Sequence, residues 1–160
     1  MAVDCMLKIE GIEGECMIKD HENEIDVLAW SWGMTQSATS HVGGGGGSGK
    51  VNVNDLSLTK YVDKSTPNLM KACCNGKPYD EATLTVRKAG ADPLDYLKII
   101  MSKVIVRSVD TGGSGDEDRF TENVTLNFNK VDVGYTPQKD DGSGDAEVKV
   151  VWNIEQNAEE

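Results

Sequence analysis

The run Gly43-Gly44-Gly45-Gly46-Gly47-Ser48-Gly49-Lys50 is the strongest invitation to chemistry in this 160-residue chain. Gly44, Gly49 and Lys50 satisfy the first three fixed positions of G-x-x-x-x-G-K-[ST], where backbone amides cradle phosphates and the lysine reaches the outer ones. The next position is Val51, so the hydroxyl that would hold magnesium is missing. The residues that follow alternate as a strand, whereas a phosphate loop opens a helix whose N-terminal amides face the anion. The same glycines satisfy G-x-G-x-x-G trivially. Both matches fail on structural context.

Other reactive residue types fare no better. Asp110 to Asp118, DTGGSGDED, is rich in carboxylates but lacks the D-x-[DN]-x-[DN]-G spacing of a calcium loop, so a solvated acidic loop is expected. His21 and His41 are the only histidines. Neither has a cysteine or histidine at ligand spacing, and both are expected at the surface. Cys5 and Cys16 lie in apolar strand-like runs and read as buried thiols. Cys73 and Cys74 are adjacent, without the C-x-x-C spacing of a zinc or redox motif. No nucleophile elbow or triad order is present. The expectation is therefore no enzyme, no metal and no cofactor.

Bulk properties narrow the classes further. A net charge of −11 argues against nucleic acid, whose binding relies on Lys and Arg releasing counterions, and against anionic membranes. It also makes subunits of like charge repel one another, so association should depend on salt. The opening MAVDCMLKIEG has no basic segment followed by a long apolar one, so no secretory signal is visible. The apolar run around Val104 to Val106 is too short to span a bilayer. The length predicts one domain over 1–160.

The elements that would position these residues are mostly strands. Asp4 to Glu10 and Glu15 to Lys19 flank Gly11 and Gly14 as a hairpin. Glu24 to Gln36 alternates, with Leu28, Trp30, Trp32 and Met34 on a bulky core face and Val27, Ala29, Ser31 and Gly33 on a small one. Lys50 to Lys60 shifts phase between Val53 and Leu56, which predicts a bulge near Asn54-Asp55. Ser65 or Thr66 caps a short helix with Pro67 in its first turn, and Asn75-Gly76 ends it. Further strands are predicted at Ala82 to Lys88, Tyr96 to Met101 continuing through Lys103 to Val109, Phe120 to Val133, and Glu147 to Glu155. Many strands and one helix point to an antiparallel barrel or sandwich. Ser37 to Gly49 is too long and too rich in glycine for a hairpin turn. It reads as an arm that a neighbour orders.

Taken together, VLAWSWGM (Val27 to Met34), GGGGGSGKVNV (Gly43 to Val53) and LTKYVDKSTPNL (Leu58 to Leu69) resemble the haemolysin-coregulated proteins, the tube subunits of the bacterial type VI secretion system. MAVD at the start, TLTVRKAG (Thr83 to Gly90), TGGSG (Thr111 to Gly115), RFTENVTLNF (Arg119 to Phe128) and WNIEQN (Trp152 to Asn157) are similar to the same family in the same order. The resemblance covers essentially the whole chain. It implies a mainly β fold: a single antiparallel β-barrel with one short α-helix and an extended glycine-rich loop. It further implies a homohexameric ring, rings stacked into a tube, sheath and spike partners, and small effector proteins carried in the channel. Assembly in the bacterial cytoplasm and export through the apparatus follow from it. The four cysteines belong to no family pattern, and because the chain ends soon after WNIEQN a plain tube component without a fused toxin domain is expected.

Within that frame, Ser31 and Ala29 are expected to line the channel and meet effectors; the alternative is that Ser31 packs under a neighbouring strand. The arm residues Ser40, His41, Val42, Gly43, Gly44, Gly45, Gly46, Gly47, Ser48 and Gly49 are expected to contact other subunits and rings. Lys60, Lys64 and Arg87 are candidate lateral contacts that would offset the subunit repulsion. Two rival classes remain: a phage-tail-like tube protein of another contractile machine, and a non-assembling β-barrel module whose loop closes over a ligand.

Overall fold

A computed structural model describes residues 3–39, 49–90 and 93–160. The chain forms β1 (Val3–Ile9), β2 (Ile25–Val27), β3 (Ala29–Ser31), β4 (Met34–Gln36), β5 (Val51–Val53), β6 (Leu56–Tyr61) and α1 (Thr66–Asn75). It continues through β7 (Tyr79–Lys88), β8 (Leu94–Thr111), β9 (Thr121–Asn127), β10 (Lys130–Tyr135), β11 (Val148–Asn153) and β12 (Ala158–Glu159). All strand pairings are antiparallel.

One sheet has the order β12-β11-β10-β8-β7-β1-β2, and a second runs β8-β9-β6-β3. Two strands pass between them. β8 pairs with β7 and β10 along its first half and with β9 along its second. On the opposite margin, β2 pairs with β1, and after Leu28 the chain continues as β3 against β6. The barrel wall is therefore two sheets joined at both margins, not one uninterrupted ladder.

Both corners reverse the alternation of inward residues. In β8, Ile99 and Met101 face the core, then Val104 and Val106 do; the odd-to-even switch falls at Lys103, which has φ 51°. Across Leu28, Ile25 and Val27 are buried and then Trp30 packs on the core. This corrects the reading of Glu24 to Gln36 as one strand. Leu28 and Met34 are exposed, Val27 is buried, and only the two tryptophans of the bulky face reach the core. Likewise, Phe120 to Val133 is two strands that turn at Phe128-Asn129, and Glu15 to Lys19 is not a strand.

The break between β5 and β6 falls at Asn54-Asp55, where Asn54 N–H donates to the Gly33 carbonyl (2.9 Å). Asp55 receives Asn127 Nδ2 (2.7 Å) and Arg107 Nη1 (3.2 Å). α1 buries Leu69 and Ala72 and packs on β8. Gly76 ends it at φ 65°, in the left-handed conformation that glycine reaches without strain. Ser65 precedes the helix but makes no capping bond; its hydroxyl donates to Asp63 instead.

Candidate assembly and cargo surfaces

β3, β6 and β9 lie side by side, with Ala29 opposite Thr59, Ser31 opposite Ser57, and Ser57 and Thr59 opposite Thr125 and Asn123. Leu56, Leu58, Val124 and Leu126 turn inward, so the period of two sends Ala29, Ser31, Ser57, Thr59, Asn123 and Thr125 outward. Thr59 Oγ1 donates to Asn123 Oδ1 at 2.7 Å, tying two of these strands on the outer side. A shallow depression of about 260 Å³ runs over Ala29, Ser31, Ser57 and Thr59. None of these six side chains is charged, on a chain that carries −11.

The ribbon β4–β5 is the base of the glycine arm, with Met34 opposite Val53 and Gln36 opposite Val51. An isolated two-stranded ribbon is marginal in water, so it needs a packing partner. Across from it stand Val131, Val133, Val150 and Trp152 of β10 and β11, enclosing an apolar cleft of about 380 Å³ with Trp32, Met34, Val51 and Val53. Val150 is half exposed beside it. A side chain at Gly49 would run into Gln36 and the Ala38 backbone, so glycine is required where the arm strands meet. Ser40, His41, Val42, Gly43, Gly44, Gly45, Gly46, Gly47 and Ser48 lie outside the described residues.

A second apolar surface lies where β1, β2 and β6 meet. Val3, Leu28, Val62 and Phe120 are exposed there or beside it, and Met17 of the 10–24 loop is 92% exposed. Arg119 lies over Tyr61, its guanidinium carbon 3.7 Å from the ring centroid. Asp4, Asp26 and Glu15 rim the hollows on either side. Stacked Arg–Tyr groups within apolar surroundings are typical of interface centres.

The three candidate cations separate in the structure. Lys60 is 0% exposed and faces inward on β6. Its ammonium donates to the Tyr61 carbonyl (2.8 Å) and Glu122, and sits 3.1 Å from Asp63 Oδ1. It is spent inside the subunit and cannot serve as a lateral contact. Arg87 is also buried, with Nε 2.6 Å from Asp95 Oδ1 and Nη1 donating to the Lys19 carbonyl at 3.0 Å. Lys64 keeps its ammonium at the surface, 3.5 Å from Glu13.

The thiols also differ. Cys16 is buried and Cys5 and Cys73 half-buried, while Cys74 is exposed. Burial, reinforced by Asp26 and Glu24, pushes the Cys16 thiol up to about 11. Burial also raises the Cys5 thiol, against a hydrogen bond with Trp30. His21 departs most from expectation: it is buried, with Nδ1 2.8 Å from Glu24 Oε2 and Nε2 3.2 Å from Asp95 Oδ2. Its neighbours in sequence are charged, and only the long-range partner Asp95 explains its burial. Among the described residues no group of three or more His, Cys, Asp or Glu side chains is arranged to hold a metal.

The family described as type VI secretion system effector, Hcp, matches residues 6–135. The chain belongs to the Hcp family of type VI secretion proteins. It is 62% identical to protein hcp1 of Pseudomonas aeruginosa over 161 aligned positions, 99% of each chain. Hcp1 from Salmonella typhimurium superposes with a TM-score of 0.83 at 38% identity, covering 100% of both chains. A further type six secretion system protein gives 0.92 at 25% identity, covering 99% of this chain and 100% of that one. As an Hcp protein it has the expected mainly β fold with one helix. Among the described residues no helix is long and apolar enough to cross a membrane.

Proposed function

We propose that this Hcp protein is a structural tube subunit, not an enzyme. One domain spanning 1–160 assembles into homohexameric rings that stack, within a sheath and behind a spike, into the expelled tube. Assembly takes place in the cytoplasm, and export needs no signal peptide. Small effector proteins ride in the channel. The reading rests above all on 62% identity along the whole chain to an Hcp protein.

The surfaces support it physically. A ring is a head-to-tail assembly, so each subunit needs two unlike patches that fit one another. The apolar cleft at the arm base and the unlike patch around Met17, Tyr61 and Arg119, rimmed by carboxylates, meet that need. The β3–β6–β9 face, small, hydroxylated and uncharged, suits a channel wall that accepts folded cargo without holding it fast. Ser31 and Ala29 are on that wall. Gly49 and the arm it belongs to supply contacts between subunits and rings, and Lys64 is the remaining lateral cation.

Negative-stain electron microscopy of the reduced protein at micromolar concentration tests the assembly: uniform rings with an open centre are expected. Small featureless particles at every salt concentration would overturn it. Ser31→Gln tests the wall. Rings should persist while cargo protection falls, and unchanged protection would remove Ser31 from the channel.

A further inference from the structure

The 10–24 loop folds over the outer side of the sheet, where Ile12 and Cys16 are buried and Glu15 receives the Lys64 N–H (3.1 Å), and its tip is fastened separately through His21. Asp20 and Asn23 take left-handed conformations, φ 70° and 65°, and between them the chain turns back on itself. Gly14 N–H donates to the Asn23 carbonyl (2.8 Å), Cys16 N–H to that of Glu24 (3.0 Å), and Asn23 N–H to that of Cys16 (2.9 Å). This places the His21 ring at the tip, against the ends of β7 and β8. One ring nitrogen faces Glu24 of the loop itself, and the other faces Asp95 of β8. Asp95 turns its second oxygen to Arg87, its cross-strand partner on β7, and Arg87 reaches back to the Lys19 carbonyl. The circuit closes on the loop it began from.

We propose that His21 is a proton-operated latch that fastens the 10–24 loop, and with it the exposed Met17, to the β7–β8 hairpin. A carboxylate accepts hydrogen bonds and cannot donate them, so an imidazole between two carboxylates satisfies both only when each ring nitrogen carries a proton. The neutral ring must present a lone pair to either Glu24 or Asp95, turning one attraction into a repulsion. Histidine is the side chain that ordinarily makes this change between about pH 5 and 8.

The surrounding charges fix the direction. Glu24 of the loop and Asp95 of β8 touch the ring, and Lys19, Asp20 and Glu22 are its exposed neighbours along the chain; Arg87 of β7 is paired with Asp95, and Asp4 of β1 lies across from Arg87. Burial works to raise the Asp95 carboxyl, but hydrogen bonds from Arg87 and His21 outweigh it and hold Asp95 below the usual carboxylate range. Asp95 therefore stays ionised in mild acid. The latch is closed when His21 is protonated and Asp95 is not, and it opens as pH rises and the imidazolium loses its proton.

Hydrogen–deuterium exchange of the whole protein at pH 6 and pH 8, corrected for the intrinsic rate, reads the latch directly in whatever assembly is present. Peptides covering 10–24 should exchange about tenfold faster at pH 8, the factor that goes with losing one hydrogen bond to a charged group. In His21→Gln they should exchange fast at both values. Equal corrected rates in the parent, or the parent's pH dependence surviving in His21→Gln, would overturn the proposal. Should that variant fail to fold, nitrogen NMR of the histidine-labelled His41→Gln protein isolates the His21 ring. Protons on both nitrogens at pH 6 support the latch, and a single proton there refutes it.

Discussion

Lys60→Met should unfold the subunit far more readily, although the substitution conserves shape and the side chain reaches no surface. Lys60 and Glu122 are cross-strand partners on β6 and β9, and both side chains are 0% exposed. The ammonium has four acceptors around it for its three protons: the Tyr61 carbonyl at 2.8 Å, Asp63 at 3.1 Å, the Thr66 hydroxyl at 3.4 Å, and Glu122. Glu122 Oε1 also receives the Thr66 hydroxyl at 2.7 Å, while its Oε2 is buried without a partner. Removing the lysine leaves two carboxylates of like charge near one another, one of them wholly buried with a single neutral donor. Breaking a buried pair in this way costs about 3–5 kcal/mol, a large part of the roughly 5–15 kcal/mol that holds a domain together. For a chain of this size, that lowers the melting temperature by about 6–20 °C. Lys60→Met/Glu122→Leu should recover most of the loss, because apolar replacement of a whole buried pair is often neutral. Urea unfolding of the parent, both single variants and the double gives the coupling. A Lys60→Met protein within about 1 kcal/mol of the parent would refute the reasoning. Intact stability with impaired rings would return Lys60 to the lateral interface.

The thiols should separate by reactivity at pH 8. Cys74 is exposed and reacts with iodoacetamide first, whereas Cys16, pushed up to about 11, is thiolate in only about one molecule in a thousand and stays unmodified until unfolding; mass-mapped alkylation checks this, and early labelling of Cys16 would contradict it. Because the thiolate is the disfavoured form, Cys16 labelling should climb as pH rises toward 11. Gly14→Ala should destabilise by about 1–3 kcal/mol in urea unfolding, since the new carbon would lie 2.4 Å from the Glu24 carbonyl oxygen, and that is backbone. Gly76→Ala should cost about 1 kcal/mol through its left-handed φ alone, because nothing lies within 4 Å of the added carbon; a loss as large as that of Gly14→Ala would mean that the helix end is packed against something.

Local signals carried far along this chain. The helix ends where Pro67 and Gly76 say it should, and the break at Asn54-Asp55 follows from the phase shift between Val53 and Leu56. Alternation also placed Ser31 and Ala29 on the side away from Trp30, and both are exposed. What escaped was set by tertiary structure. The corners at Leu28 and Lys103 reverse the inward parity because the strand changes sheets there, and no local composition announces the partner strand. His21 looked like a surface residue because its neighbours are charged; Asp95, its long-range partner, is 74 positions away. Lys60 is different, for the signal was present. Leu56, Leu58 and Lys60 share one parity, as do Glu122, Val124 and Leu126, so the period that fills the core also puts the ion pair in it.

Charge is unevenly distributed over this chain of net charge −11. The 10–24 loop holds Glu10, Glu13, Glu15, Asp20, Glu22 and Glu24 against Lys19 alone, so much of the repulsion is concentrated at one end of the barrel. His21 and Arg87 hold part of that loop inward: Glu24 and Asp95 face the His21 ring, and Asp95 also pairs with Arg87. The cleft at the arm base and the β3–β6–β9 face are apolar or neutral in their central residues. The cleft at the arm base and the β3–β6–β9 face are thus spared most of the charge, whereas the patch around Met17, Tyr61 and Arg119 lies beside Glu15, Asp26 and Asp63. At physiological ionic strength, screening over about 8 Å confines that end's field to its own neighbourhood. Repulsion therefore weighs on the patch around Met17, Tyr61 and Arg119 and spares the cleft and the β3–β6–β9 face.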